Sequence, residues 1–139
     1  MIALTMLSSC AALLSGCFGT DRSVFHQLRH LAGPRGIDCG VVLYPGHEAK
    51  DNACAIGAAS ENAAFFVHYI VKSGDGTVDR GVALTPSGRM LVVSDDPNAD
   101  GIPLPAQVGG KPIKAFACVE NRLAPDPAIR NETVLTCQP

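Results

Sequence analysis

The chain has 139 residues, enough for one domain, and its net charge of −2 comes from interspersed acidic and basic side chains. This balance gives neither the basic footprint of a nucleic-acid-binding protein nor a polybasic run that binds membranes. Apolar residues make up 47% of the chain, with no Trp, five Phe and two Tyr, so we expect a core of aliphatic side chains and alanine.

The N-terminus has the pattern of an export signal. Residues 1–14 (MIALTMLSSCAALL) contain no charged side chain. This run is too short for a transmembrane helix, which needs about 20 residues, but suits the apolar region of a signal peptide. It ends in Leu14-Ser15-Gly16-Cys17. This tetrapeptide resembles the lipobox of bacterial lipoproteins, in which the cysteine is linked to diacylglycerol and becomes the first residue of the mature chain.

The resemblance implies that residues 1–16 are removed and that Cys17 carries fatty acyl chains such as palmitate, which anchor the protein in a membrane. Phe18 follows in place of the Asp that retains lipoproteins in the inner membrane of enteric-type bacteria. The resemblance therefore implies the outer membrane, with the domain facing the periplasm. Cys10 is the alternative lipidation site, but cleavage there would leave an apolar mature N-terminus, whereas a polar segment follows Cys17.

Four cysteines remain when the signal peptide is removed and Cys17 is lipidated. An even number in an oxidising compartment predicts two disulfides. Four cysteines allow three pairings, and we predict Cys39–Cys54 and Cys118–Cys137 because each pair closes a short loop. A zinc site is the competing interpretation, but no two of these cysteines have the two-to-four-residue gap of a zinc knuckle.

Residues 17–36 are predicted to form a tether that contains a short helix, from Arg22 to Leu31. Ser23 or Asp21 would cap the start of this helix, and Gly33, which is followed by a proline, would end it. The domain proper is expected to begin after the tether.

Two histidines of this helix, His26 and His30, are spaced i, i+4 and would share one helical face. Such a pair can bind a metal ion, but a metal site needs a third ligand, and no nearby carboxylate in the sequence supplies one. We therefore expect this face to be solvated and to lie near the membrane.

Residues 37–139 are predicted to be a single domain. An extended segment over 39–44 precedes an alanine-rich helix over 48–64, whose small side chains would let it lie close against a sheet. Residues 121–130 contain two prolines and are predicted to be a loop. Five strands are predicted, at 65–71, 77–84, 89–94, 113–119 and 131–137. A helix followed by a meander, without alternating βαβ units, predicts the α+β class, with one main helix packed on a small antiparallel sheet.

A calcium-loop pattern occurs at Asp96, Asn98 and Asp100, which lie in the hexapeptide DPNADG. Oxygen donors at alternate positions can converge on a hard cation. The twelfth position is Gln107, however, where a calcium loop needs a bidentate Glu. Asp-, Asn- and Gly-rich hexapeptides also form ordinary turns. We expect a turn, and calcium binding by these three residues is the alternative.

Phe66, His68 and Ile70 alternate with residues that would face the main helix, so they are predicted to line the opposite face of the sheet. Two apolar side chains that flank a histidine could form a binding surface if they were exposed. The competing expectation is that the C-terminal loop covers this face and that His68 is a partly buried polar residue.

The sequence contains no nucleophile elbow, zinc-protease pair, phosphate-binding glycine loop or cofactor motif. We therefore expect a non-enzymatic, lipid-anchored domain that binds another envelope component or supports the envelope structurally, with no cofactor and no nucleic-acid partner. The alternative is a small inhibitor or accessory subunit of a periplasmic enzyme. Its contact would be the loop from Pro97 to Lys111, since loops on a rigid scaffold often carry binding residues.

Overall fold

The computed structural model describes residues 23–44, 49–74, 76–104, 112–127 and 134–138. They contain two helices, α1 (Val24–Ala32) and α2 (Ala49–Ser60). The strands are β1 (Ile37–Tyr44), β2 (Phe65–Ser73), β3 (Gly76–Leu84), β4 (Met90–Ser94), β5 (Ile102–Pro103), β6 (Lys114–Ala117), β7 (Ala124–Pro125) and β8 (Leu135–Thr136). The described residues are therefore of the α+β class, with two helices packed on the sheet instead of one.

The main sheet has six strands in the order β1-β2-β3-β4-β6-β5, and most of its pairs are antiparallel. Strands β2, β3 and β4 form the predicted meander. β1 differs, because it pairs with β2 in parallel. Parallel neighbours need a crossover connection, and α2 supplies it. The sequence interpretation excluded βαβ units, and the unit β1-α2-β2 corrects it.

α2 is shorter than the predicted helix and ends at Ser60. Asn62 has a φ of 52°, the left-handed conformation that commonly follows a helix C-terminus. The backbone N–H of Ala63 donates to the carbonyl of Ala58 at 2.9 Å, which satisfies one of the last free carbonyls of the helix. The chain then enters β2.

A helix packs on each face of the main sheet. On one face, α2 and residues 134–137 pack on a cluster that includes Phe65, Val67, Tyr69, Val82, Leu84 and Met90. On the other face, α1 packs on Phe66, Ala83 and Val93. We call these the α2 face and the α1 face.

α1 belongs to the core, and its assignment to a tether is corrected. Ser23 Oγ caps the helix by accepting from the backbone N–H of His26 at 3.2 Å. Gly33 is at the C-terminal end, as predicted. Along the helix, one side chain per turn is buried against the sheet, at Val24, Leu28 and Ala32. This burial is a tertiary contact that the sequence of the helix alone does not specify.

Gly81 on β3 permits the close approach of α1. A β-carbon at this position would lie 2.4 Å from Cδ1 of Leu28 and 2.3 Å from the carbonyl oxygen of Val67. Both distances are far below a van der Waals contact, so any larger residue would push the helix away from the sheet.

Both predicted disulfides are present. Cys39–Cys54 joins β1 to α2, with 5.5 Å between the Cα atoms. Cys118–Cys137 joins the residue after β6 to the residue after β8, with 5.7 Å between the Cα atoms. The last strand, β8, pairs with β7, which lies inside the segment that was predicted to be a loop.

Candidate functional site

A cleft of about 490 Å³ lies between the C-terminal segment and the turn that contains the calcium-like motif. We call it the cleft. Its polar lining consists of Arg80, Asp96, Asn98, Asp100, Asp126, Thr136 and Gln138, and Phe116, Pro125 and Pro127 contribute apolar surface. Three of these side chains are carboxylates and one is a guanidinium, so the cleft is acidic.

The floor of the cleft contains an ion pair between Arg80 of β3 and Asp126, which follows β7. Nη1 of Arg80 lies 2.6 Å from Oδ2 of Asp126, and the Asp126 side chain is only 7% exposed. The backbone N–H of Asp126 also donates to the carbonyl of Val134 at 2.7 Å. A charge-assisted hydrogen bond of this kind is short and geometrically specific. It therefore holds the β7–β8 ladder in place on the main sheet.

One wall of the cleft is the turn after β4. Asp96 Oδ1 accepts from the backbone N–H of Asn98 at 2.9 Å, and the carbonyl of Asp96 accepts from the N–H of Ala99 at 3.1 Å. Side-chain bonds of this type stabilise turns without any ligand. Gly101 completes the turn with a φ of 128°, and a β-carbon there would lie 2.7 Å from the carbonyl oxygen of Ala115.

A lysine already supplies a positive charge to this turn. The Lys114 ammonium donates to the carbonyl of Pro97 at 2.7 Å and to that of Ala99 at 3.0 Å. Among the described residues, no group of three or more His, Cys, Asp or Glu side chains is placed to hold a metal ion. Asp96, Asn98 and Asp100 line the cleft, while Gln107 lies outside the described residues. Calcium binding stays a prediction.

The predicted binding face with Phe66 and His68 is covered by α1. The ring of Phe25 lies 5.6 Å from the ring of Phe66 and 5.8 Å from that of His68. Both β2 residues are buried, whereas Ile70 is partly exposed at the border of the helix. The described C-terminal residues lie on the α2 face, so α1 is the cover that was expected from the C-terminal loop.

His68 has an acidic neighbour but no hydrogen bond. Its Nε2 is 3.6 Å from Oδ2 of Asp79, and neither ring nitrogen has a hydrogen-bond partner among the described residues. Burial lowers the pKa of His68 below its ordinary value of 6.5, and the negative charges of Asp79 and Asp95 oppose this effect. The neutral imidazole therefore acts mainly as a packed aromatic side chain under α1.

The other predicted site residues fall in different places. His26 and His30 are exposed on α1, as expected for a solvated face. The loop from Pro97 to Lys111 is described only up to Leu104, and this part includes β5, which pairs with β6 at an edge of the sheet.

Cys17 lies outside the described residues. No helix within the described residues is long and apolar enough to span a membrane.

Sequence reasoning missed Arg80 and Asp126. A pattern was available for Arg80, because it shares the alternation phase of Val82 and Leu84, which are buried on the α2 face. An arginine at a strand position that faces the core needs a charged partner. No comparable pattern marks Asp126, since its burial depends on the pairing of two short strands far from β3.

No protein-family model matches the chain, and no curated protein or solved structure is similar enough to it to indicate a family. A proposal about function therefore rests on the geometry of the cleft, the disulfides and the motif at Cys17.

Proposed function

We propose that this protein is a lipid-anchored binding domain of the bacterial cell envelope, without enzymatic activity. The observation that carries the proposal is the pairing of all four cysteines beyond Cys17, since Cys39–Cys54 and Cys118–Cys137 are both bridged. Disulfides persist in exported proteins and are rare in the cytosol of most bacteria. The only cysteine left outside the proposed signal peptide is then Cys17, the residue of the lipobox motif.

The proposed anchor would hold the folded domain close to the membrane. Cys17 precedes Ser23, the cap of α1, by six residues. An extended chain spans at most about 3.5 Å per residue, so the domain would lie within about 20 Å of the acylated cysteine. Phe18 after the cysteine favours the outer membrane, with the domain on the periplasmic side.

We infer that the cleft is the binding site of this domain. The carboxylates of Asp96 and Asp100 line it, and the positive charge of Arg80 is neutralised by Asp126. Phe116 adds a partly exposed aromatic side chain. A few polar groups beside apolar surface are typical of binding pockets. The chemistry suits an envelope component with a basic or hydrogen-bond-donating group next to an apolar group.

The second candidate is an inhibitor or accessory subunit of a periplasmic enzyme that uses the loop from Pro97 to Lys111. The exposed side chain of Ile102 favours it. This residue lies on β5, which is bonded to β6, so an apolar side chain is presented on a fixed backbone.

Intact-mass measurement of the membrane-extracted protein under non-reducing conditions tests the anchor. We expect a chain that begins at Cys17, heavier by its acyl groups and lighter by the four hydrogens lost in forming two disulfides. A chain that retains Met1 and has free thiols would refute both export and lipidation.

Cross-linking in intact envelopes tests the cleft. The double variant Asp96→Asn/Asp100→Asn should lose the cross-linked partner, because it removes two carboxylates without changing side-chain size. Glu61→Gln is the matched control, since Glu61 is an exposed carboxylate that does not line the cleft. If an Ile102→Ser variant lost the partner while the double variant still captured it, the result would favour the loop as the binding site and refute the cleft.

A further inference from the structure

The fold gathers basic side chains that are scattered along the sequence. α1 contains no acidic residue, and His26, Arg29 and His30 are exposed on it. Lys72, near the end of β2, is also exposed. It shares the alternation phase of Phe66 and His68 and therefore lies on the α1 face.

Beside α1, part of the same face is uncovered and apolar. Val41 and Leu43 of β1 are 46% and 62% exposed. Their register partners are His68 and Ile70, which places both side chains on the α1 face. β1 is an edge strand, and α1 contacts mainly β2, β3 and β4. An exposed apolar pair beside basic groups is therefore built into one side of the domain.

The two parts of this surface are adjacent. Phe25 packs against Phe66 and His68 of β2, so the flank of α1 that carries Phe25 is turned toward the β1 side of the sheet. Arg29 is one helical turn after Phe25 and lies on the same flank. Two acidic side chains, Asp38 and Asp79, also border this surface. Asp38 is exposed and its Oδ1 accepts from the backbone N–H of Gly40 at 2.9 Å, whereas the Asp79 side chain is 30% exposed and lies 3.6 Å from His68.

The start of α1 lies toward this apolar pair, because Phe25 in its first turn packs against His68, the register partner of Val41. The end of the helix, at Gly33, lies against Pro86 in the turn between β3 and β4. The helix therefore starts toward the opposite end of β2, the end where Ile70 and Lys72 lie. A lipid on Cys17, six residues before Ser23, would be attached on this side of the domain.

We propose that the outer side of α1 and the uncovered part of β1 dock on anionic phospholipid headgroups of the membrane that holds Cys17. Val41 and Leu43 enter the interfacial region, while Arg29 and Lys72 contact lipid phosphates. This docking rests on the lipid anchor proposed above. It leaves the cleft pointing away from the bilayer, because Arg80 lies on the α2 face.

Because the chain contains no tryptophan, an introduced one is a unique fluorescent probe. The lipidated, full-length protein is reconstituted in phosphatidylcholine–phosphatidylglycerol vesicles whose acyl chains are brominated near the headgroup. We expect quenching in the Leu43→Trp variant and none in Val119→Trp, whose site is 78% exposed and lies beside the C-terminal segment. Both substitutions are at exposed sites, so both variants should fold and retain their disulfides.

The charge dependence gives a second measurement. In the Leu43→Trp background, Arg29→Gln should reduce the ratio of docked to undocked protein about fivefold, the equivalent of about 1 kcal/mol for one basic side chain near an anionic surface. Arg122→Gln is the matched control and should leave the ratio unchanged, because exposed Arg122 lies in the C-terminal part of the chain, next to Leu123, which packs on the α2 face.

Four results would overturn the proposal. Equal quenching at positions 43 and 119 would show that no particular side faces the bilayer. If the tryptophan at position 43 were shielded from solvent in detergent as well, and more so at higher protein concentration, a second copy of the chain would be what covers this surface. If the intact mass showed no acyl chain, both the anchor and the docking would be refuted. If the protein were acylated but the tryptophan at position 43 were not quenched, only the docking would be refuted.

Discussion

The two faces of the main sheet are stabilised in different ways. On the α1 face, a nine-residue helix buries Val24 and Leu28 and depends on the close approach at Gly81. On the α2 face, the helix contributes the small buried side chains of Ala55 and Ala58. Alanine buries little area, so its contribution to stability is small. The α2 face also has two disulfides and a buried ion pair, of which Cys39–Cys54 fastens the helix whose buried side chains are small.

The largest effect is expected from breaking the ion pair on the α2 face. Arg80→Met leaves the Asp126 carboxylate buried without its counter-charge, which should lower the free energy of unfolding by about 4 kcal/mol. Urea denaturation measures the loss. Arg122→Met is the control, because exposed Arg122 should contribute within about 0.5 kcal/mol. Similar small losses in both variants would show that the pair does not fasten the β7–β8 ladder.

Removal of a disulfide should affect the faces unequally. The Cys39→Ser/Cys54→Ser variant should lose about 3 kcal/mol, since the bridge closes a 15-residue separation. In hydrogen exchange, amides of α2 should lose more protection than those of α1, because only α2 is held by this bridge. Equal loss of protection in both helices would mean that the two faces unfold as one unit and are not stabilised separately.

Close approach should matter at Gly81 on the α1 face. Gly81→Ala is expected to cost about 2 kcal/mol, because the new methyl group would overlap Leu28 and the backbone of Val67. Gly57→Ala is the opposite case. Among the described residues, no atom outside the surrounding helix backbone lies within 4 Å of a β-carbon at this exposed position of α2, so the same change should stabilise the helix by about 1 kcal/mol. Thermal denaturation shows whether each substitution lowers or raises stability. Destabilisation by both substitutions would contradict the difference expected between Gly81 and Gly57.

The smallest effect concerns pH. His68 has a lowered pKa in the folded state because it is buried, so the unfolded chain binds the proton more readily. Stability should be unaffected by this group above pH 6.5 and should fall as the pH decreases below that value. His68→Phe keeps an aromatic ring against Phe25 and should remove this part of the pH dependence. The urea midpoints of the wild-type protein and of the variant at pH 5 and pH 8 measure this pH dependence. If the difference between the two pH values were the same in both proteins, His68 would be excluded as its cause.

The sequence predicted the elements whose residues repeat with a clear period. The antiparallel succession of β2, β3 and β4 and both disulfide pairs were correct, because alternating side chains and short cysteine separations are local patterns. β5 and β7 were missed since two residues cannot show a period. α1 was found but assigned to the tether, because its docking depends on Gly81, which lies far along the chain.

The cleft could be predicted only in part. Asp96, Asn98 and Asp100 were recognised as one motif, and the structure places them along one cleft. Arg80 and Asp126 come from distant segments and meet only when the β7–β8 ladder packs on β3. A single sequence contains no record of such a contact, so the floor of the cleft required the three-dimensional fold.

The C-terminal closure of the core also constrains the order of folding. Val134, Leu135 and Cys137 complete the cluster that contains Val82 and Leu84. Residues 134–137 follow β2, β3 and β4 along the chain and can reach the core only after these strands have been synthesised. Until they pack, this part of the α2 face exposes aliphatic side chains of β3, and a chain in that state would be a target for chaperones and proteases.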